Sequence, residues 1–115
     1  MRGSPSLDAE IARVVFGALV VYDVKTERYW LALGSRTPEI EVLPYSTSEY
    51  SSEIVVKHYY DQGWSFSYRK DDNGFMAGFS RTDGSTYRSF RAETLPLATC
   101  IAALAIQNGT HIQNK

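Results

Sequence analysis

Few residues in this chain have types and spacings that could do chemistry. The single cysteine, Cys100, lies in the apolar stretch "ETLPLATCIAALAI". A reactive thiol needs a base or a cation beside it to become a thiolate, and no such neighbour stands near it in the sequence. His58 and His111 have no Asp, Cys or Ser at a motif spacing, so neither reads as a catalytic base. Two distant histidines and one cysteine form no zinc or iron pattern. The Walker loop, the dinucleotide fingerprint and the Gly-x-Ser-x-Gly elbow are all missing. "DDNG" at 71–74 resembles part of a calcium loop, but the closing glutamate is absent and a hairpin turn explains it. The sequence therefore points to no catalytic residue, no metal and no cofactor.

What chemistry remains is cationic and lies on one face of a predicted meander. "WSFSYRK" alternates strictly, "FMAGFS" follows the pair Asn73-Gly74, and "STYRSFR" follows Asp83-Gly84. Such pairs suit two-residue hairpins because both central residues take positive φ. Counting from those turns places Tyr68 opposite Phe79 and Phe79 opposite Arg88. Trp64, Phe66, Tyr68, Phe75, Ala77, Phe79 and Phe90 then share a core side, with Arg88 at its outer row. The other side collects Ser65, Ser67, Arg69, Met76, Gly78, Ser80, Tyr87, Ser89 and Arg91. Two readings stand for that side. It is a solvated face of an antiparallel sheet, or a shallow anion site. In the second reading Arg69 and Arg91 hold a phosphate or carboxylate, Tyr87 stacks, and Ser67 and Ser89 flank them.

The elements that position these residues follow from caps and periodicity. Ser6 caps a short helix over 7–16, with Leu7, Ile11, Val14 and Val15 on one face and Gly17 as its end. "ALVVYDV" and "YWLAL" form a hairpin around the polar turn 25–28. "EIEVL" in the connector, between Pro38 and Pro44, is a short edge strand or an extended arm. "STSE" at 46–49 reads as a capping box. The helix after it runs to about Gln62, with Gly63 as its stop. Ser52, Val55, Val56, Tyr59 and Tyr60 face its core, and Lys57 pairs with Glu53 or Asp61 on its wet face. Tyr50 and Ile54 lie one turn apart and off that core face, so they are candidates for a subunit interface or for cover by the connector carrying Pro44. Thr94 caps the last helix, in which Leu97, Cys100, Ile101 and Leu104 form the apolar stripe and Asn108-Gly109 closes it. Cys100 thus reads as a buried small hydrophobe. The expected fold is α+β, sandwich-like with layers α/β/α and a largely antiparallel sheet, in the order α-β-β-α-β-β-β-α.

Composition bounds the rest. The 115 residues suit one domain, 1–115, with ends 1–5 and 110–115 expected to be flexible. A net charge of −1 argues against a partner made of many phosphates, so nucleic acid is not expected. One cysteine allows no intrachain disulfide. The apolar run 95–106 falls short of the roughly 20 residues that span a bilayer, and "MRGSPS" lacks a signal-peptide core. The expectation is a cytoplasmic protein without a membrane anchor.

Two stretches carry a family resemblance: "PYSTSEYSSEIVVKHYYDQGWSF" at 44–66 and "RAETLPLATCIAALAIQNG" at 91–109. Together with "LDAEIARVVFGA" near the start, they resemble the phage ABA sandwich domain family. The motifs are a Tyr-Ser-Thr segment opening a helix, a Gly-Trp pair before strands, and Thr-x-Pro-Leu-Ala opening an alanine-rich final helix. "VVYDVKTERYWLAL" fits less closely, and "TYRSFR" carries more charge than the pattern. The resemblance implies helices against a largely antiparallel sheet, and no catalytic residues. Helices on both sides of the sheet would cover the polar face and require partners for Arg69 and Arg91. It also implies a phage or prophage protein working in a bacterial host. Three functions stay open. The first is an accessory protein binding a host protein or a small anionic, nucleotide-like signal, with counter-defence as one use. The second is an assembly protein acting as a homo-oligomer. The third is an enzyme whose site the sequence does not reveal.

Overall fold

The computed structural model describes residues 2–32, 40–81 and 87–109. The turn expected at Asp83-Gly84, Pro38, His111 and the end 110–115 lie outside the described residues.

Helix α1, Pro5–Glu10, opens with Ser4, whose hydroxyl accepts the Leu7 N–H at 3.1 Å. The cap is therefore Ser4 and not Ser6. Proline lacks an N–H and fits the first helical position, where no intrahelical bond is needed, so Pro5 moves the start forward. The helix widens into a π-helical segment, Ile11–Val15, before Gly17 ends it. Leu7, Ile11 and Val15 are buried as expected, while Val14 is half-buried.

Strands β1 (Val20–Asp23) and β2 (Arg28–Leu31) form the expected antiparallel hairpin. "EIEVL" supplies a short edge strand, β3 (Ile40–Glu41), paired antiparallel with β2. Helix α2, Glu49–Tyr60, is capped by Ser48, whose hydroxyl accepts the Ser51 N–H at 3.1 Å. The expected cap, Ser46, is instead buried against α1, because its N–H and hydroxyl both donate to Asp8. Ser51, Ser52, Val55 and Tyr59 are the buried residues of α2; Val56 is half-buried and Tyr60 is exposed. On its wet face Lys57 pairs with Asp61 at 2.9 Å.

Strands β4 (Trp64–Asp71), β5 (Gly74–Arg81) and β6 (Tyr87–Ala92) make the meander. Phe79 lies opposite Arg88, as counted. The first hairpin differs: Tyr68 lies opposite Ala77, and Phe79 opposite Phe66. The pair Asp71–Gly74 closes the turn, so Asp72-Asn73 are its central residues. Asp71 accepts the Asn73 N–H at 2.9 Å, which draws the turn one residue back. Moving a two-residue turn by one position shifts the pairing by two, so the alternation of faces along the described strands is kept, although Tyr68, expected on the core side, is exposed.

The strands thus form two three-stranded antiparallel sheets, not one. Helix α1 packs on β2, the π-helical segment on helix α3 (Leu95–Gly109), α3 on β5 and β6, and α2 on both α3 and β4. The order of elements and the layering are those of an α+β sandwich. Its core joins Ile11, Val55, Tyr59, Phe79 and Cys100. Tyr59 is anchored at its polar end: Gln107 donates to its hydroxyl at 2.9 Å, and that hydroxyl donates to the Ala103 carbonyl at 3.3 Å.

Candidate functional site

Both helices that touch the second sheet lie on its apolar side. Trp64, Ala77 and Phe79 are buried there, while Ser65, Ser67, Arg69 and Arg91 on the other side are exposed. Among the described residues the polar face is therefore open, and no helix covers it as the family resemblance would imply. Strand register arranges this face in rows. Arg69, Met76 and Arg91 form one row across the three strands, and Ser67, Gly78 and Ser89 form the next. Gly78 is buried between two serines, so the middle of the second row is low. The result is a depression of about 400 Å³ walled by Ser67, Tyr68, Arg69, Met76 and Ser89.

The two arginines differ. Arg91 donates to Asp71 at 2.6 Å, a pair that sequence counting did not connect. That bond, with the Asn73 N–H, holds the Asp71 carboxyl below the usual carboxylate range, and it raises Arg91 in turn. Arg69 makes no hydrogen bond or ion pair among the described residues, though its charge is felt by Asp71. The face thus offers one uncommitted guanidinium rather than two. The side chain of Tyr87 lies outside the described part of the chain.

A second surface lies between α2, β4 and the start of α3. It is a groove of about 760 Å³ with Val56, Phe66 and Leu95 among its walls and Tyr60 and Tyr68 beside them. Tyr60 is 70% exposed and Tyr68 57% exposed. Tyr60 was expected in the core, but it stands one residue past the buried stripe that ends in Tyr59. Glu49, Glu53 and Lys57 also line the groove. Because Lys57 is paired with Asp61, the uncompensated charge of these three is negative. Tyr50, 79% exposed, and Ile54, 37% exposed, lie on α2 off its core face, as expected.

The third site was missed from the sequence. Asp8 is buried, and the N–H and hydroxyl of Ser46 both donate to its Oδ1, at 2.7 and 2.6 Å. Burial pushes its carboxyl above the ordinary range, against the effect of those two bonds. Asp8 lines a cleft of about 440 Å³ between α1, β2 and the residues after β3. A lone Asp beside a helix start reads as a solvated acid; only the fold brings Ser46, 38 positions away, onto it.

The other polar candidates are accounted for by packing. Cys100 is fully buried, and burial lifts its thiol to about 12, so a thiolate is not available. His58 is half-buried, its ring in T-shaped packing with Phe16 and Tyr59 at centroid distances of 4.8 and 5.2 Å. Among the described residues no three His, Cys, Asp or Glu side chains are grouped to hold a metal ion. No helix among them is long and apolar enough to cross a membrane.

No family model matches the sequence. No curated protein matches it. Among solved structures, the fold is similar to a crystal structure described as a phage protein from Bacillus cereus ATCC 14579. The TM-score is 0.71 at 22% identity, over 91% of this chain and 86% of the other. At that identity the likeness shows a shared fold.

Proposed function

We propose that this protein is a phage accessory protein that acts by binding a host protein, not by turning over a substrate. The phage setting rests on the fold shared with the Bacillus cereus phage protein and on the family resemblance of the helical segments. The observation that carries the binding reading is the groove beside α2, where Tyr60 and Tyr68 stay exposed over apolar walls. Exposed tyrosines over a desolvated pocket are the usual anchors of protein interfaces, since they bury much area at little entropic cost. With Glu49 and Glu53 at its edge, the groove suits a partner segment that carries an apolar side chain followed by a Lys or Arg.

The test begins with a partner recovered on the tagged chain from a phage-sensitive host, then purified and titrated against variants. Tyr60→Ala with Tyr68→Ala should weaken that binding by about tenfold or more, the range of interface hot spots, while Arg69→Ala should leave it unchanged. Full binding by the double variant would overturn the groove reading.

A second reading is favoured by one observation, the depression lined by Ser67, Met76 and Ser89 beside Arg69, which makes no hydrogen bond or ion pair among the described residues. There the ligand is a small nucleotide-like anion, held by Arg69 and by the hydroxyl of Ser67. Isothermal titration with a nucleoside monophosphate tests it. Binding that Arg69→Ala abolishes supports it, and no heat at millimolar nucleotide removes it.

A further inference from the structure

The cleft around Asp8 is built by contacts between distant parts of the chain. The Val42 N–H donates to the Tyr29 carbonyl at 3.0 Å, which fixes the residues after β3 against the first sheet. The Ser4 N–H donates to the Ser46 hydroxyl at 3.0 Å, which fixes the N-terminal arm across them. Gly3 lies so close that an added Cβ would sit 2.7 Å from the Ser46 carbonyl oxygen, which leaves no room for a side chain without movement. Between these segments lies the space of about 440 Å³, with Pro5, Val42 and Pro44 as apolar wall and Tyr29 beside them.

Its charge is one-sided. Asp8 and Glu41 both line it, and no lysine or arginine does. Glu41 has a partner in Arg28, but at 3.4 Å and with both side chains about half exposed that pair is loose. Asp8 is the unusual member. It keeps only 6% of its surface, and both donors from Ser46 go to its Oδ1. Its Oδ2 accepts no hydrogen bond among the described residues. A carboxylate oxygen buried without a donor is costly, and a carboxylate has room for several donors. An Asn there would keep an acceptor for Ser46 without the charge.

We propose that this cleft is a binding site for an alkylammonium group, either the ammonium of a small aliphatic amine or the side chain of a partner's lysine. The ammonium would donate to Asp8 Oδ2, with Glu41 adding charge at the edge, and the alkyl stem would lie along Val42, Pro44 and the Tyr29 ring. This site is separate from the groove beside α2 and does not depend on that reading.

The probe is n-butylammonium chloride, titrated into the full chain at neutral pH and followed by amide NMR. Saturable shifts are expected to cluster at Asp8, Tyr29, Val42 and Thr47. Asp8→Asn should keep the Ser46 bonds and lose about tenfold or more in affinity, the weight of one charge-assisted hydrogen bond. Glu41→Gln should weaken binding less. On the unmodified chain, n-butanol at the same concentrations should leave those amides in place, a comparison that does not depend on any variant folding. Shifts no larger than those from equal sodium chloride would overturn the proposal, as would equal shifts from n-butanol or full affinity in a folded Asp8→Asn. If free lysine binds as butylammonium does, the small amine is sufficient. If a lysine-bearing peptide binds more tightly than butylammonium, and Asp8→Asn weakens both, the occupant is a partner's side chain.

Discussion

Asp8 holds its proton more tightly in the folded chain than in the unfolded one, because burial outweighs the two bonds from Ser46. Between the ordinary carboxylate value and this raised one, the folded state carries more protons. Stability must therefore fall as pH rises through that window. Asp71 behaves in the opposite sense. Its carboxyl is held low by Arg91, so its contribution is present above the ordinary value and is lost as pH falls through the lowered one. The two windows do not overlap, and this allows a clean test at Asp8. Asp8→Asn should remove the decline above the ordinary carboxylate value, making the variant the more stable of the two toward neutral pH. Urea titrations at steps from about pH 4 to about pH 7 measure it; parallel curves for the two proteins would refute the assignment. At the same scale Cys100 is settled by its surroundings. It is fully buried in the core cluster that also holds Val55 and Phe79, and burial lifts its thiol to about 12. Cys100 is packing, as its place on the apolar stripe predicts, while the buried carboxyl is that of Asp8.

The helices and hairpins show how local signals compete. Ser46 and Ser48 in "STSE" could both cap α2, and the box pattern favoured Ser46. Ser48 caps it because Ser46 is taken by Asp8 and by the Ser4 N–H, both from the first helix. That contact is long-range, and no window of sequence around 46 contains it. In the first hairpin, Asn73-Gly74 carried the right residue types, yet the turn centres on Asp72-Asn73. Gly74 then starts β5 with φ +125°, a backbone state that side chains rarely adopt. A Cβ there would strike the carbonyl oxygen of Ala92 on β6. Both the dihedral and the collision are backbone matters that repacking cannot relieve. Gly74→Ala should therefore destabilise the protein by about 2 kcal/mol or more. It should also loosen the neighbouring Asp71–Arg91 pair, since Asp71 is paired with Gly74 in register. Chemical denaturation within about 0.5 kcal/mol of the parent would show that the turn is not built this way.

Among the described residues, three kinds of surface stand out, the first two meeting at Tyr68. The open face of the second sheet carries the Arg69 depression, the α2 side carries the tyrosine groove, and the first sheet and α1 enclose the Asp8 cleft. Tyr50 and Ile54 lie on the same helix as the groove but are not among its lining residues. If this pair mediates self-association, sedimentation velocity should show mass rising with concentration, and Tyr50→Glu should return the protein to a monomer. A strict monomer at high concentration removes that role and leaves the pair as ordinary exposed side chains.

Periodicity and caps determined a good deal without the fold. The order of helices and strands, the alternation of faces along the described meander strands and the burial of Cys100 all follow from patterns of period two or 3.6. The faces survived even a wrong turn position, because a shift of two residues preserves alternation. The face candidates Ser67, Arg69, Ser89 and Arg91 were legible for the same reason. Tertiary structure decided the rest. It divided the strands into two sheets, left the polar face open, joined Arg91 to Asp71 and buried Asp8 beneath Ser46. These outcomes depend on which distant surfaces meet, and contacts between residues 20 or 38 positions apart leave no period in the sequence.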